Sequence, residues 1–181
     1  MSAEPSIDTA ITKFIAVSDQ LCSKYASHLE DWKGSPFEWI MSLPSRTKGA
    51  VGEQLVEQWL MTNGHRIERP PHSGCDRIVN GVNVEIKFST LWKSGGYTFQ
   101  QLRDQDYAFV FFLGISPNMA HAWFIPKHVA WSHAIPQHGG KDGTDTRWLS
   151  FPAAEPPAWL ADHGGTLDRA LKLLERAELW K

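Results

Sequence analysis

Cysteine is scarce in this chain. Cys22 and Cys75 are its only two, too few and too isolated for a disulfide framework or a zinc cage. Long apolar runs are missing as well: the longest, Phe109 to Ile115, is far too short to span a bilayer. Glu4, Asp8 and Lys13 interrupt the first 15 residues, so no signal peptide is expected. These absences predict a cytoplasmic protein with no membrane partner. A strong net charge is also lacking, since 18 Lys and Arg stand against 20 Asp and Glu. That argues against a protein that grips polyanions with its whole surface. There is no internal repeat and no low-complexity tract. What is present is a globular balance, 181 residues with 42% hydrophobic and 21% charged, which excludes a disordered chain and suggests one domain.

The charge is unevenly placed. From Lys33 to Arg103 the sequence carries nine bases and six acids, so the rest of the chain is acidic.

Residues 7–30 place Ile11, Phe14, Ile15, Leu21, Tyr25 and Leu29 near helical spacing, which predicts an amphipathic helix. Ser35-Pro36 opens a short helix over 37–43, and Pro44 closes it. A longer helix is expected over 47–62, stopped by Asn63-Gly64, with Val51, Leu55, Val56, Trp59 and Leu60 as its apolar stripe. On a wheel turning about 100° per residue, Glu53 falls at the border of that stripe. A β-rich middle follows: strands over 65–69, 76–79 and 82–88, then a short helix near 99–104. Residues 107–115 read as a buried central strand and 120–125 as another. Beyond Pro126 come a helix through Ile135, a polar glycine-rich loop over 137–144, a strand over 147–151 and a C-terminal amphipathic helix over 167–179. The pattern is mixed α/β in a single domain, 1–181, with helices on both faces of one sheet.

Asn80-Gly81 between two apolar runs is the strongest short hairpin signal, because a type I′ turn needs positive φ at both positions. A two-residue turn there sets Asp76 across from Glu85, with Cβ atoms about 5 Å apart. Strand alternation puts Lys87 on the same face as Glu85. Two opposed carboxylates are destabilising unless something neutralises them. Lys87 does part of that, and a hard divalent ion such as Mg²⁺, which takes oxygen ligands and keeps several waters, would do more. Glu53 at its core border offers a third carboxylate.

With these residues in hand, the chain resembles the PD-(D/E)XK nuclease superfamily, whose best-known members are type II restriction endonucleases. The segments Gly74-Cys75-Asp76 and Val84-Glu85-Ile86-Lys87-Phe88-Ser89 carry the pattern, with Glu53 upstream and Phe99-Gln100-Gln101-Leu102-Arg103 similar to the Gln-bearing helix of many members. Cys75 stands where the pattern nominally has Pro. The matching stretch covers about 46–126. The resemblance implies a restriction-endonuclease-like mixed β-sheet core flanked by helices on both faces. It places a helical N-terminal segment at 1–45, the catalytic core at 46–126 and C-terminal strand and helix elements at 127–181. It implies a Mg²⁺-dependent endodeoxyribonuclease, with Mn²⁺ as a substitute, that hydrolyses phosphodiester bonds of double-stranded DNA. Asp76, Glu85 and the Ile86 carbonyl would bind the metal, and Glu53 would complete its shell. Lys87 would orient the attacking water or stabilise phosphoryl charge, and Gln101, with Gln100 as competitor, would hold a phosphate or a water. Lys48, Lys93 and Arg103 are expected at phosphates, and Trp92 is the aromatic placed to stack on a base. One active site per chain favours a homodimer for cutting both strands. The rival readings are a repair nicking enzyme or Holliday-junction resolvase, and a catalytically silent DNA-binding module on the same fold. The silent module is disfavoured because every acid and the lysine are kept.

Overall fold

The computed structural model describes residues 9–136 and 146–177. The expected glycine-rich loop and the last residues of the C-terminal helix lie outside them. The chain opens with helices α1 (Thr9–Glu30), α2 (Glu38–Met41) and α3 (Ser45–Thr62). Strands β1 (Ile67–Glu68), β2 (Arg77–Val79), β3 (Val82–Thr90), β4 (Gly96–Arg103), β5 (Phe109–Ile115) and β6 (Ala120–Pro126) follow. Helix α4 (Lys127–His133), β7 (Ile135–Pro136), β8 (Thr146–Pro152), a 3-10 helix (Ala158–His163) and α5 (Leu167–Ala177) complete it.

Five strands form a mixed sheet in the order β1-β2-β3-β5-β6, in which β3 and β5 run parallel and the other neighbours antiparallel. The expected hairpin is present in the expected register, with Val79 facing Val82, Ile78 facing Asn83 and Arg77 facing Val84. Asn80 and Gly81 take φ of 49° and 81°, the positive values a type I′ turn requires.

One face of this sheet is covered by α3 and α5. Val84 and Ile86 pack there with Val56, Leu60, Phe111 and Leu174. Helix α3 comes in very close, because a Cβ on Gly52 would sit 2.2 Å from Cγ of Phe88. Only glycine permits that approach, and the sequence stripe had not included it. The other face carries α4 and the 3-10 helix through Ala130 and Leu160. So helices lie on both faces, as expected.

That second face also holds a three-stranded sheet, β4-β8-β7, which the periodicity did not anticipate. Phe99 of β4 stacks on Phe112 of β5 with ring centroids 4.3 Å apart. The helix expected over 99–104 is therefore a strand. Its alternation is broken by a bulge between Phe99 and Leu102 where Gln101 takes φ 57°, and an extra residue in a strand mimics helical spacing. The helix after Pro126 also ends earlier than expected, since Ile135 lies in β7. Trp59 packs on the core as expected, and Trp123 is buried. Among the described residues no helix is long and apolar enough to cross a membrane.

Candidate active site

Strand β3 divides the chemistry by alternation. Val84 and Ile86 enter the core, while Glu85 and Lys87 project to the opposite face. Glu85 is only 4% exposed, and with Ser89 it forms the buried polar set among the described residues. A buried carboxylate needs a partner. Lys87 supplies one, its Nζ 2.5 Å from Glu85 Oε1. Burial nonetheless pushes the Glu85 carboxyl above its usual range, against the pull of Lys87, and the nearby Asp76 carboxylate adds to the rise.

Asp76 sits just beyond the end of β2, where its N–H donates to the Val84 carbonyl at 3.1 Å. Its carboxylate then takes the place of the next strand residue, because Oδ2 accepts the Ile86 N–H at 2.7 Å. The N–H and C=O of one strand residue point to the same side, so the Ile86 carbonyl is directed toward Asp76. Two carboxylates and one carbonyl thereby converge at the edge where β2 stops pairing with β3.

Glu53 joins this group from α3. Burial raises its carboxyl first and Asp76 raises it next, while Arg77 and Lys87 pull it down. Its carboxylate lies 3.9 Å from Arg77 Nη1. Arg77 was missed by the sequence reading. Its guanidinium grips Glu57 through Nε and Nη2, both at 2.9 Å, and donates from Nη1 to the Asp76 carbonyl at 2.6 Å. It ties α3 to the backbone of Asp76. The signal was present: alternation turns Arg77 toward α3, where Glu53 and Glu57 stand one helical turn apart.

Among the described residues no three His, Cys, Asp or Glu side chains stand together closely enough to hold a metal ion. The converging oxygens are those of Asp76 and Glu85, with Glu53 drawn to Arg77. Gln101 is exposed and Gln100 half buried at the β4 bulge. They follow Phe99, which stacks on Phe112, and Phe112 is the register partner of Lys87 in β5. Both glutamines thus lie on the strand that covers the Glu85 and Lys87 face. Lys48 is half buried on α3, about one turn before Glu53; Arg103 is exposed at the end of β4, and Lys93 and Trp92 are exposed in the loop after β3. His72, close to Asp76 in sequence, pairs with Asp106 at 3.6 Å. Cys75 is buried, and burial lifts its thiol above the usual range.

The architecture around this cluster matches a known one. The chain has a nuclease-like fold. It superposes on the structure of a bacterial homing endonuclease, I-Ssp6803I, with a TM-score of 0.51, covering 75% of this chain and 94% of that one at 15% sequence identity. No protein-family model matches the sequence, and the comparison with curated proteins finds no relative. At that identity the likeness is one of fold.

Proposed function

We propose that the chain is a Mg²⁺-dependent endodeoxyribonuclease of the PD-(D/E)XK type that cuts double-stranded DNA as a restriction enzyme does. The observation that carries this reading is the Asp76 carboxylate held on the Ile86 N–H next to the buried Glu85, with Lys87 on Glu85. The nuclease-like fold supports it.

The donor set suits a hard cation. Asp76 and Glu85 repel one another, burial raises Glu85 further, and a positive charge between them relieves both costs. Asp76, Glu85 and the Ile86 carbonyl would hold the ion, and Glu53 would reach it through water. A bound divalent cation would supply Lewis acidity and a water of lowered pKa. Asp76 is held in place by the Ile86 N–H, and Arg77 fixes its backbone from the far side. Lys87 keeps an ammonium beside Glu85, where it stabilises charge growing on the phosphoryl oxygens. Water attack forms one phosphorus–oxygen bond, the bond to the leaving sugar oxygen breaks, and that oxygen takes up a proton. Gln101, Lys48, Lys93 and Arg103 contact the phosphates, which fixes register without reading sequence. A homodimer brings two such sites to the two strands.

Incubating supercoiled plasmid with the protein and Mg²⁺ tests the reading. Discrete linear fragments, lost in Asp76→Asn and in EDTA, are expected. Nicked circles alone would replace the restriction reading with a nickase. Intact plasmid across many sequences, with DNA bound, would make the fold a silent binding module.

A further inference from the structure

Four carboxylates and two bases gather where α3, β2 and β3 meet. Alternation puts Arg77, the register partner of Val84, on the α3 side of the sheet, and Lys87 on the other side. Asp76 stands at the strand edge between them. Each base holds one side: Lys87 pairs with Glu85, and Arg77 pairs with Glu57.

Arg77 is a fixed charge. Its side chain is only 14% exposed. Nε and Nη2 both donate to Glu57 at 2.9 Å, and Nη1 donates to the Asp76 carbonyl at 2.6 Å. The same Nη1 lies 3.9 Å from the Glu53 carboxylate. Carboxylates and a backbone carbonyl are the donors a hard divalent ion takes. Here a guanidinium already occupies them. Sites that work with two ions keep them about 3.5–4 Å apart and need ligands for both. An ion added on the α3 side would draw on Glu53 and Asp76, the groups that face Arg77, and would meet its positive charge there.

The charge count agrees. With every group ionised, Glu53, Glu57, Asp76 and Glu85 carry four negative charges, against one positive charge each on Arg77 and Lys87. One divalent ion neutralises the difference. A second would leave the cluster as positive as it began negative, in a place where burial makes unbalanced charge costly.

Resting on the cation already proposed at Asp76 and Glu85, we propose that the site takes that one divalent ion and no other, because the Arg77 guanidinium stands where a second ion would bind, between Glu53, Glu57 and the Asp76 carbonyl. Arg77 is thus a positioning residue that also sets the number of ions.

Counting bound Mn²⁺ by electron paramagnetic resonance of the free ion, on the full chain without DNA, tests it. The wild type should bind one Mn²⁺. Glu53→Gln should still bind one, with its affinity changed less than tenfold. Arg77→Met keeps a long side chain and removes the charge, so it should take up a second Mn²⁺ at millimolar concentration. Arg77→Lys keeps the charge and should not. Thermal melts show which variants are folded, and if Arg77→Met is not, the counts for the wild type and Glu53→Gln still decide. Two Mn²⁺ on the wild type would overturn the proposal and leave the metal reading standing. So would a single Mn²⁺ on folded Arg77→Met, or loss of the ion in Glu53→Gln. No Mn²⁺ on the wild type would remove the metal reading and the proposal with it.

Discussion

Replacing Lys87 with Met removes the ammonium from Glu85 and keeps most of the side-chain volume. The Glu85 side chain is 6% exposed and that of Lys87 19%, so the pair is a buried one. Removing one partner of a buried pair costs about 3–5 kcal/mol, because the other charge is left uncompensated. Glu85 has an escape, which is to take up a proton. From an ordinary carboxyl value of 4.5, protonation at pH 7 costs about 3.4 kcal/mol, and at pH 5.5 about 1.4 kcal/mol. The penalty of Lys87→Met is thus capped at about 3.4 kcal/mol at pH 7, a fall in melting temperature of about 7–14 °C for a chain of this size, and shrinks by more than half at pH 5.5. The sign follows from the folded state. Burial already raises the Glu85 carboxyl, and Lys87 holds that rise down. Without Lys87 the native state binds its proton more tightly still, so stability relative to wild type recovers as pH falls. Adding Glu85→Gln to the variant should restore most of the loss. Urea or thermal melts of the wild type, the single variant and the double variant at the two pH values check this. A pH-independent penalty, or one well under 1 kcal/mol, would refute the idea that Lys87 balances a buried charge.

If Asp76 and Glu85 share a cation, millimolar Mg²⁺ or Mn²⁺ should raise the melting temperature by mass action, and Asp76→Asn should abolish the rise. Because the Glu85 carboxyl is raised, metal binding, read with Mn²⁺ by calorimetry, should weaken as pH falls while still above the ordinary carboxylate range. Gly52→Ala forces a methyl into Phe88; it should cost about 1–3 kcal/mol, or roughly 2–12 °C by melting. The same change shifts α3 away from β3 and Glu53 from Asp76, so plasmid cleavage should slow even at temperatures where the variant is folded.

The hairpin was legible because its cause is local. Asn80-Gly81 selects the turn, the turn sets the register, and period-two alternation then puts Glu85 and Lys87 on one face. The apolar stripe of α3 and the continuous strand β5 were legible for the same reason, since each is a pattern within one segment. The second sheet was not. β4 finds its partner in β8, about fifty residues away, and the bulge at Gln101 erases the alternation that would have marked a strand. Arg77 was visible as a base but not as the clamp between α3 and Asp76. That role exists only because Gly52 lets α3 settle against Phe88 and brings Glu53 and Glu57 within reach. For α1 the sequence determined a helix with an apolar face, while the tertiary structure decided that among the described residues Ile11, Phe14 and Ile15 stay exposed. Periodicity records which residues share a side of an element. What covers that side depends on contacts between distant segments, and those are fixed only when the chain has packed.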